Sequence, residues 1–219
     1  MGQVAALFDM DKTLLDVSSG QLYARYSYRH GRLGRRDLVQ VAWLGVLSWL
    51  GILNIHKIMP RLLAEAAGDD EEELRLFCDR WFEEDLVSHI TERGRQRVGE
   101  HQEQGHVVAI VSGSTQYSVR PVAAHLGMAS QYVCTHLESI DGRLTGQILP
   151  PVCYGPGKVV WAERLAADYD VDLAASYFYT DSISDLPLLE MVGHPVAVNP
   201  DPRLRHLAQK RDWPIEMFY

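Results

Sequence analysis

VAALFDMDKT, residues 4–13, opens on an apolar run from Val4 to Phe8 and closes on Asp9, Asp11, Lys12 and Thr13. A short unbroken apolar run bounded by polar residues predicts a strand buried on both faces. Such a strand carries its last residues to the edge where open parallel sheets hold ligands. Asp9 and Asp11 arrive there with only Met10 between them. Two carboxylates so placed repel unless a cation or a proton holds them together. The chemistry of this chain therefore turns on which cation that is.

Outward from this stretch the pattern changes. Residues 19–93 show no strand-like alternation, and helices are expected at 18–30, 35–52, 55–67 and 70–93. Asp69 and Asp70 before Glu71–Glu73 read as an N-cap with an acidic first turn. From residue 94 onward helices and strands alternate: helix 94–104, strand 106–111, helix 115–126, strand 131–135 and a hairpin over 137–148 turned at Asp141-Gly142. A helix follows Gly155-Pro156-Gly157, then strand 176–180, a helix from 184, strand 195–198 and a helix over 202–210. The alternation predicts an α/β fold, a Rossmann-like parallel sheet with helices on both faces. The first strand must join that sheet. Residues 1–13 and 94–219 are thus the expected α/β core, and residues 14–93 an all-helical domain inserted after the first strand.

Polar residues gather where strands end. Asp9 and Asp11 follow the first strand, and Ser112, Gly113 and Ser114 follow HVVAIV. Lys158 opens a helix, and Asp181 and Asp185 follow SYFYT. In a parallel sheet all four groups project from one edge. Each has an ordinary reading alone: a serine N-cap, a solvated lysine, a turn with a first-turn acid. Together they are too much charge for one edge without a ligand. Acidic oxygens with no Cys or His suit Mg²⁺. A lysine beside a helix N-terminus with small residues suits a phosphate. The set points to phosphoryl transfer assisted by magnesium. GPGK at 155–158 is not a P-loop, because Val152 stands at the earlier glycine position and Val159 follows the lysine.

The rest of the chain narrows the field. A net charge of −8 argues against a general nucleic-acid binder. Cys78, Cys134 and Cys153 form no CxxC pair, which fits free thiols in a reducing cytoplasm. The nine histidines make no metal-binding pair and read as ordinary groups. No secretory signal precedes the first strand, so a cytoplasmic location is expected. Residues 38–53, LVQVAWLGVLSWLGIL, fall short of the roughly 20 apolar residues that span a bilayer. A buried or half-buried helix is expected there, with contact at a membrane surface as the alternative. Such a helix leaves monomer and homodimer both open. Tyr23, Tyr26, Trp43 and Trp49 could line a pocket or form the core of the helical insertion.

With these motifs the chain resembles the haloacid dehalogenase superfamily, in its phosphoserine-phosphatase-like branch (subfamily IB). DMDKTLL at 9–15, IVSGS at 110–114, Gly157-Lys158 and DSISD at 181–185 match the four family motifs in order, and the likeness covers nearly the whole chain. The resemblance implies a C1-type helical cap and a phosphatase acting on a small phosphomonoester. It further implies Asp9 as nucleophile forming an aspartyl-phosphate, and Asp11 as general acid and base. Mg²⁺ would be held by Asp9, the Asp11 carbonyl and Asp181, with Asp185 a ligand or a support behind them. Ser112, Gly113 and Lys158 would cradle the phosphate. Ser18 stands where phosphoserine phosphatases commonly carry Glu, with Asp16 the nearest acid, and Ser184 where they tend to carry Asn. These three positions bear on specificity, and the two differences, Ser18 and Ser184, argue against phosphoserine itself. The ending DLPLLEMVGHPVAVNPDPRLR, 185–205, is closer to bacterial hydrolases that include histidinol-phosphate phosphatases. Other readings are a membrane-associated lysophospholipid phosphatase, a phosphotransferase, and a non-enzymatic phospho-acceptor signalling module.

Overall fold

Ala5–Phe8 form strand β1, and all four of its side chains are buried. Alternation along a strand sends Ala5 and Leu7 to one face of the sheet and Ala6 and Phe8 to the other, each pair into its own hydrophobic cluster. β1 is therefore central. It pairs in parallel with β2 (Val107–Thr115) on one side and β5 (Tyr177–Thr180) on the other. The computed structural model describes residues 2–49, 64, 66–128 and 131–219. With β3 (Tyr132–Ile140), β4 (Arg143–Leu149), β6 (His194–Val198) and β7 (Ile215–Glu216), the sheet order is β4-β3-β2-β1-β5-β6-β7. Every pair is parallel except β3 with β4.

Helices α1 (Ser19–Arg29), α2 (Arg35–Trp49) and α3 (Glu71–Glu84) lie in the chain between β1 and α4 (Glu92–Glu103), which leads into β2. After β2 come α5 (Gln116–His125), α6 (Pro156–Asp168), the single turn α7 (Leu186–Leu189) and α8 (Pro202–Lys210). Val98 of α4 with Val119 and Val122 of α5 cover the Phe8 face. Leu165 of α6 and Leu204 of α8 cover the Leu7 face. Helices on both faces of a mostly parallel sheet are the expected α/β architecture. The inserted helices share the core: Tyr26 of α1, Phe77 and Trp81 belong to the Phe8 cluster. Backbone bonds also tie the insertion to the β3–β4 hairpin, from Glu71 N to Gly142 O (2.9 Å) and Gly68 N to Leu144 O (2.8 Å).

The structure departs from the sequence reading in four places. The expected helix 70–93 stops at Glu84; a 3₁₀ turn, Leu86–His89, follows, and Ile90 bridges to Leu15. Thr91 then caps α4, its Oγ1 accepting the Gly94 N–H at 3.2 Å. The expected strand 131–135 and the first arm of the hairpin are one strand, β3, paired with β2 at its start and β4 at its end. The hairpin turn itself is as expected, with Asp141 at φ +51° and Gly142 at φ +75°. Strand 106–111 runs on to Thr115, and β7 has no counterpart in the sequence reading. Most of helix 55–67 and the end of the 38–53 run lie outside the described residues, as does the Trp49 side chain. Trp43 is 60% exposed and so belongs to no core. Tyr23 and Tyr26 pack edge-on against Phe77, with centroids at 6.0 and 5.2 Å. Among the described residues no helix is long and apolar enough to cross a membrane. The three cysteines are free and buried.

Candidate active site

Asp9 follows the last residue of β1 and is held by its own N–H, which donates to Tyr179 O of β5 at 2.9 Å. The chain then makes a wide turn, Met10–Leu14, closed by Leu15 N to Met10 O at 2.9 Å. Inside it Lys12 sits at φ +57°, a left-handed conformation that costs a lysine energy and clusters at functional sites. Lys12 N to Val17 O and Thr91 N to Leu14 O pin the turn from both sides. The result is a rigid mount for two carboxylates.

The two carboxylates have different partners. Asp9 is 7% exposed, and its Oδ1 accepts from Lys158 Nζ at 2.6 Å. Asp11 faces the start of α1: Oδ1 accepts from Ser19 N at 2.8 Å and Oδ2 from Ser114 Oγ at 3.1 Å. An anion at a helix N-terminus is electrostatically favoured. Burial nonetheless raises both. Asp9 is pushed up to about 7, burial and the nearby Asp185 and Asp11 outweighing Lys158. Asp11 is raised by burial against the hydrogen bonds from Ser19 and Ser114.

Lys158 is the hub. Its side chain is 3% exposed, and its Nζ donates to Asp9 and, at 2.7 Å, to Asp185 Oδ2. Burial alone would pull the ammonium down; Asp185 and Asp9 outweigh it and hold the pKa above the usual lysine range. The lysine is placed by the α6 N-terminus. A Cβ on Gly157 would stand 1.9 Å from Val152 O, so only glycine permits this approach of the chain.

Asp181 and Asp185 follow β5. Thr180 Oγ1 donates to Asp185 Oδ2 at 2.6 Å, and Ile183 N binds Asp201 Oδ2 at 2.8 Å, fixing the turn. The Asp181 carboxylate lies well above its ordinary range, through burial and then the charges of Asp9 and Asp185. Asp9 and Asp185 thus share one buried ammonium, with the Asp181 carboxylate near enough to feel both acids, and among the described residues Asp185 Oδ1 is buried without a hydrogen-bond partner. Hard oxygen donors with an orphaned carboxylate oxygen fit a magnesium ion. Among the described residues no three acidic, His or Cys side chains form a ready-made metal cluster.

Ser112 is buried at the end of the regular part of β2, where pairing with β3 shifts register before Thr115. Its Oγ accepts the Ser114 N–H at 3.2 Å, and Gly113 packs beside the Cys153 carbonyl. Of the three expected specificity positions, Asp16 Oδ1 is bonded to His89 Nδ1 at 2.7 Å and Ser18 is the N-cap of α1. Ser184 Oγ is bonded to Ser182 Oγ at 2.9 Å. The structure gives Ser114, already expected at this edge, Asp11 as its partner, and adds Ser19 and Thr180 as partners of the acids and His89 as the partner of Asp16. The SGS spacing places Ser114 beside Ser112; the other three carry no sequence signal beyond ordinary cap and turn residues.

The chain is similar to known proteins over most of its length. The sequence pattern of haloacid dehalogenase-like hydrolases matches residues 6–190. A protein of Mycobacterium tuberculosis named as a probable phosphatase is 32% identical over 219 residues, covering 99% of this chain and 76% of its own. A histidinol-phosphatase of Neisseria meningitidis is 31% identical, covering 97% of this chain and 98% of its own. The crystal structure of a protein of unknown function from Bordetella pertussis superposes with a TM-score of 0.90 at 30% identity, each chain covered completely.

Proposed function

The chain belongs to the haloacid dehalogenase-like hydrolase family, and from that premise we propose that it is a magnesium-dependent phosphatase of small phosphomonoesters, working through a phosphorylated Asp9. The observation that carries this reading is the unequal treatment of two neighbouring carboxylates. Asp9 shares the Lys158 ammonium with Asp185, while Asp11 is held apart by Ser19 and Ser114. Paired acids in different environments divide the work of nucleophile and acid/base.

In the first step an Asp9 carboxylate oxygen attacks phosphorus, the ester P–O bond breaks, and the departing oxygen takes a proton from Asp11. A raised Asp11 pKa suits a group that must hold that proton near neutrality. In the second step the Asp11 carboxylate removes a proton from water, whose oxygen attacks phosphorus and releases Asp9 and inorganic phosphate. Lys158, with Ser112 and the Gly113 amide, offers donors to the non-bridging oxygens. Asp9, the Asp11 carbonyl and Asp181 would hold Mg²⁺, which when bound supplies the positive charge that keeps Asp9 ionised and offsets the approaching dianion. The helices inserted over residues 14–93 serve as the cap that shapes the leaving-group site.

The test is hydrolysis of 4-nitrophenyl phosphate with and without Mg²⁺. Asp9→Asn is expected to keep the thermal transition of the native protein and to lose activity by about a thousandfold or more. Substantial magnesium-dependent turnover by that variant would remove Asp9 as nucleophile. Adding an alcohol acceptor separates hydrolysis from phosphotransfer, since the latter yields a new ester in place of phosphate.

A further inference from the structure

Two adjoining cavities lie along α1. The inner one, about 240 Å³, is bordered by Lys12, Asp16, Ser18, Leu22 and Arg25. The outer one, about 390 Å³, shares Leu22 and Arg25 and adds Tyr28, Leu38 and the Arg29–Asp85 pair. The wall of the inner cavity holds Lys12 and Ser18, the chain neighbours of Asp11 and of Ser19, whose N–H holds Asp11. Leu22, Arg25 and Arg29 stand at i, i+3 and i+7 and so share one face of the helix.

The charges along the cleft are not balanced. Arg29 is paired with Asp85 at 2.6 Å, and Asp16 is engaged by His89 at 2.7 Å. The Lys12 charge acts on Asp181. Among the described residues Arg25 has no acidic partner. It lies at the junction of the two cavities, on the exposed side of α1, and the walls near it are Leu22, Tyr28 and Leu38. At the inner end Ser18 carries no charge, so no unengaged acid lines the cleft to receive an ammonium group. A guanidinium in this position recognises an oxyanion, in the forked geometry it offers to carboxylate and phosphate alike. Ser18 and Arg25 are seven residues apart, about 10 Å along the helix axis.

Building on the phosphatase reading, we propose that Arg25 is a specificity-determining residue, and that the preferred substrate is a phosphomonoester with a second anionic group. That group lies about 10 Å along α1 from the Ser18 end of the cleft, beyond a mainly apolar body. Phosphate esters of amino alcohols, whose far end is cationic, are then poor substrates.

The test uses phenyl phosphates with four para tails: a carboxyethyl, a phosphonoethyl, a propyl and an aminopropyl group. Values of kcat and KM are measured with Mg²⁺ for the native protein, Arg25→Gln and Arg25→Glu. The native protein is expected to favour an anionic tail over the aminopropyl tail by about tenfold or more in kcat/KM, mostly through KM. Whichever anionic tail ranks higher identifies the oxyanion. Arg25→Gln should bring the ratio of anionic to cationic ester close to one, and Arg25→Glu should invert it. Equal turnover of all four esters by the native protein, or a preference untouched by both substitutions, overturns the proposal and leaves the phosphatase reading standing. Hydrolysis of none of the four defeats the phosphatase reading itself.

Discussion

Lys158 and the acids around it illustrate what a residue must satisfy to be readable from sequence. Carboxylates beside a buried strand need a reason, so Asp9, Asp11, Asp181 and Asp185 could be picked out before any coordinates. Ser114 could be picked out with them, but Ser19 and Thr180 could not, because a serine or threonine near a strand or helix end is ordinary chemistry. His101 was missed for the opposite reason. The sequence reading takes it as an ordinary group, yet it is 4% exposed, with Nε2 bonded to Tyr179 Oη and Nδ1 to His106 Nδ1, both at 2.8 Å. Burial first, then the charges of His106 and Arg97, lower its pKa to about 4. A base whose folded pKa lies below its unfolded value of 6.5 binds more protons when unfolded. Its contribution is therefore complete above pH 6.5, falls as the pH drops toward 4, and is level below that. The full span is on the order of 3 kcal/mol. Urea unfolding at several pH values from 7 to 4 should show a stability loss on acidification that is shallower for His101→Gln than for the native protein. Parallel curves would refute the assignment.

Elements were legible where their ends carry punctuation. Asp70 caps α3 by accepting the Glu73 N–H at 3.0 Å, and Asp141-Gly142 turns β3 into β4, both as the sequence suggests. The break between α3 and α4 was hidden because its cause is tertiary. Ile90 bridges to Leu15 and Thr91 binds Leu14, contacts set by the turn that mounts Asp9 and Asp11. Strand β3 was split on paper because its two ends pair with different neighbours. The start of α6 depends on one atom's worth of space. Gly157→Ala would drive a Cβ into Val152 O, shifting the loop that sets Lys158. The expected cost is about 1–3 kcal/mol of stability, with kcat/KM down by about tenfold or more. Thermal unfolding and the 4-nitrophenyl phosphate assay would measure both. Native-like activity would show that Lys158 is positioned independently of this contact.

At the scale of the molecule, one arrangement explains why distant residues meet. β1 lies between β2 and β5, and chain order reverses there, so the ends of these strands flank the crevice where doubly wound sheets hold ligands. Asp9 and Asp181 follow β1 and β5, and Ser112 lies three residues before the end of β2. This convergence was readable because parallel strands end on the same side. The insertion between β1 and α4 was readable as helical, but its packing was not: Tyr26, Phe77 and Trp81 merge with the sheet's own core. The cleft along α1 was equally hidden, since Arg25 and Leu38 become neighbours only when α1 and α2 fold against each other.

If phosphorus passes through Asp9, the covalent stage can be caught by slowing the group that hydrolyses it. Asp11→Asn should be mixed with 4-nitrophenyl phosphate and Mg²⁺, quenched in acid, digested and analysed by mass spectrometry. The nitrophenolate leaving group needs little help from an acid, so the first step proceeds while the second stalls. A phosphoryl group on the Asp9 carboxylate, present in the first turnover and absent from Asp9→Asn, is the expected result. A phosphoryl group on serine or histidine, or nitrophenol release with no labelled protein at any time, would show that the reaction takes another route.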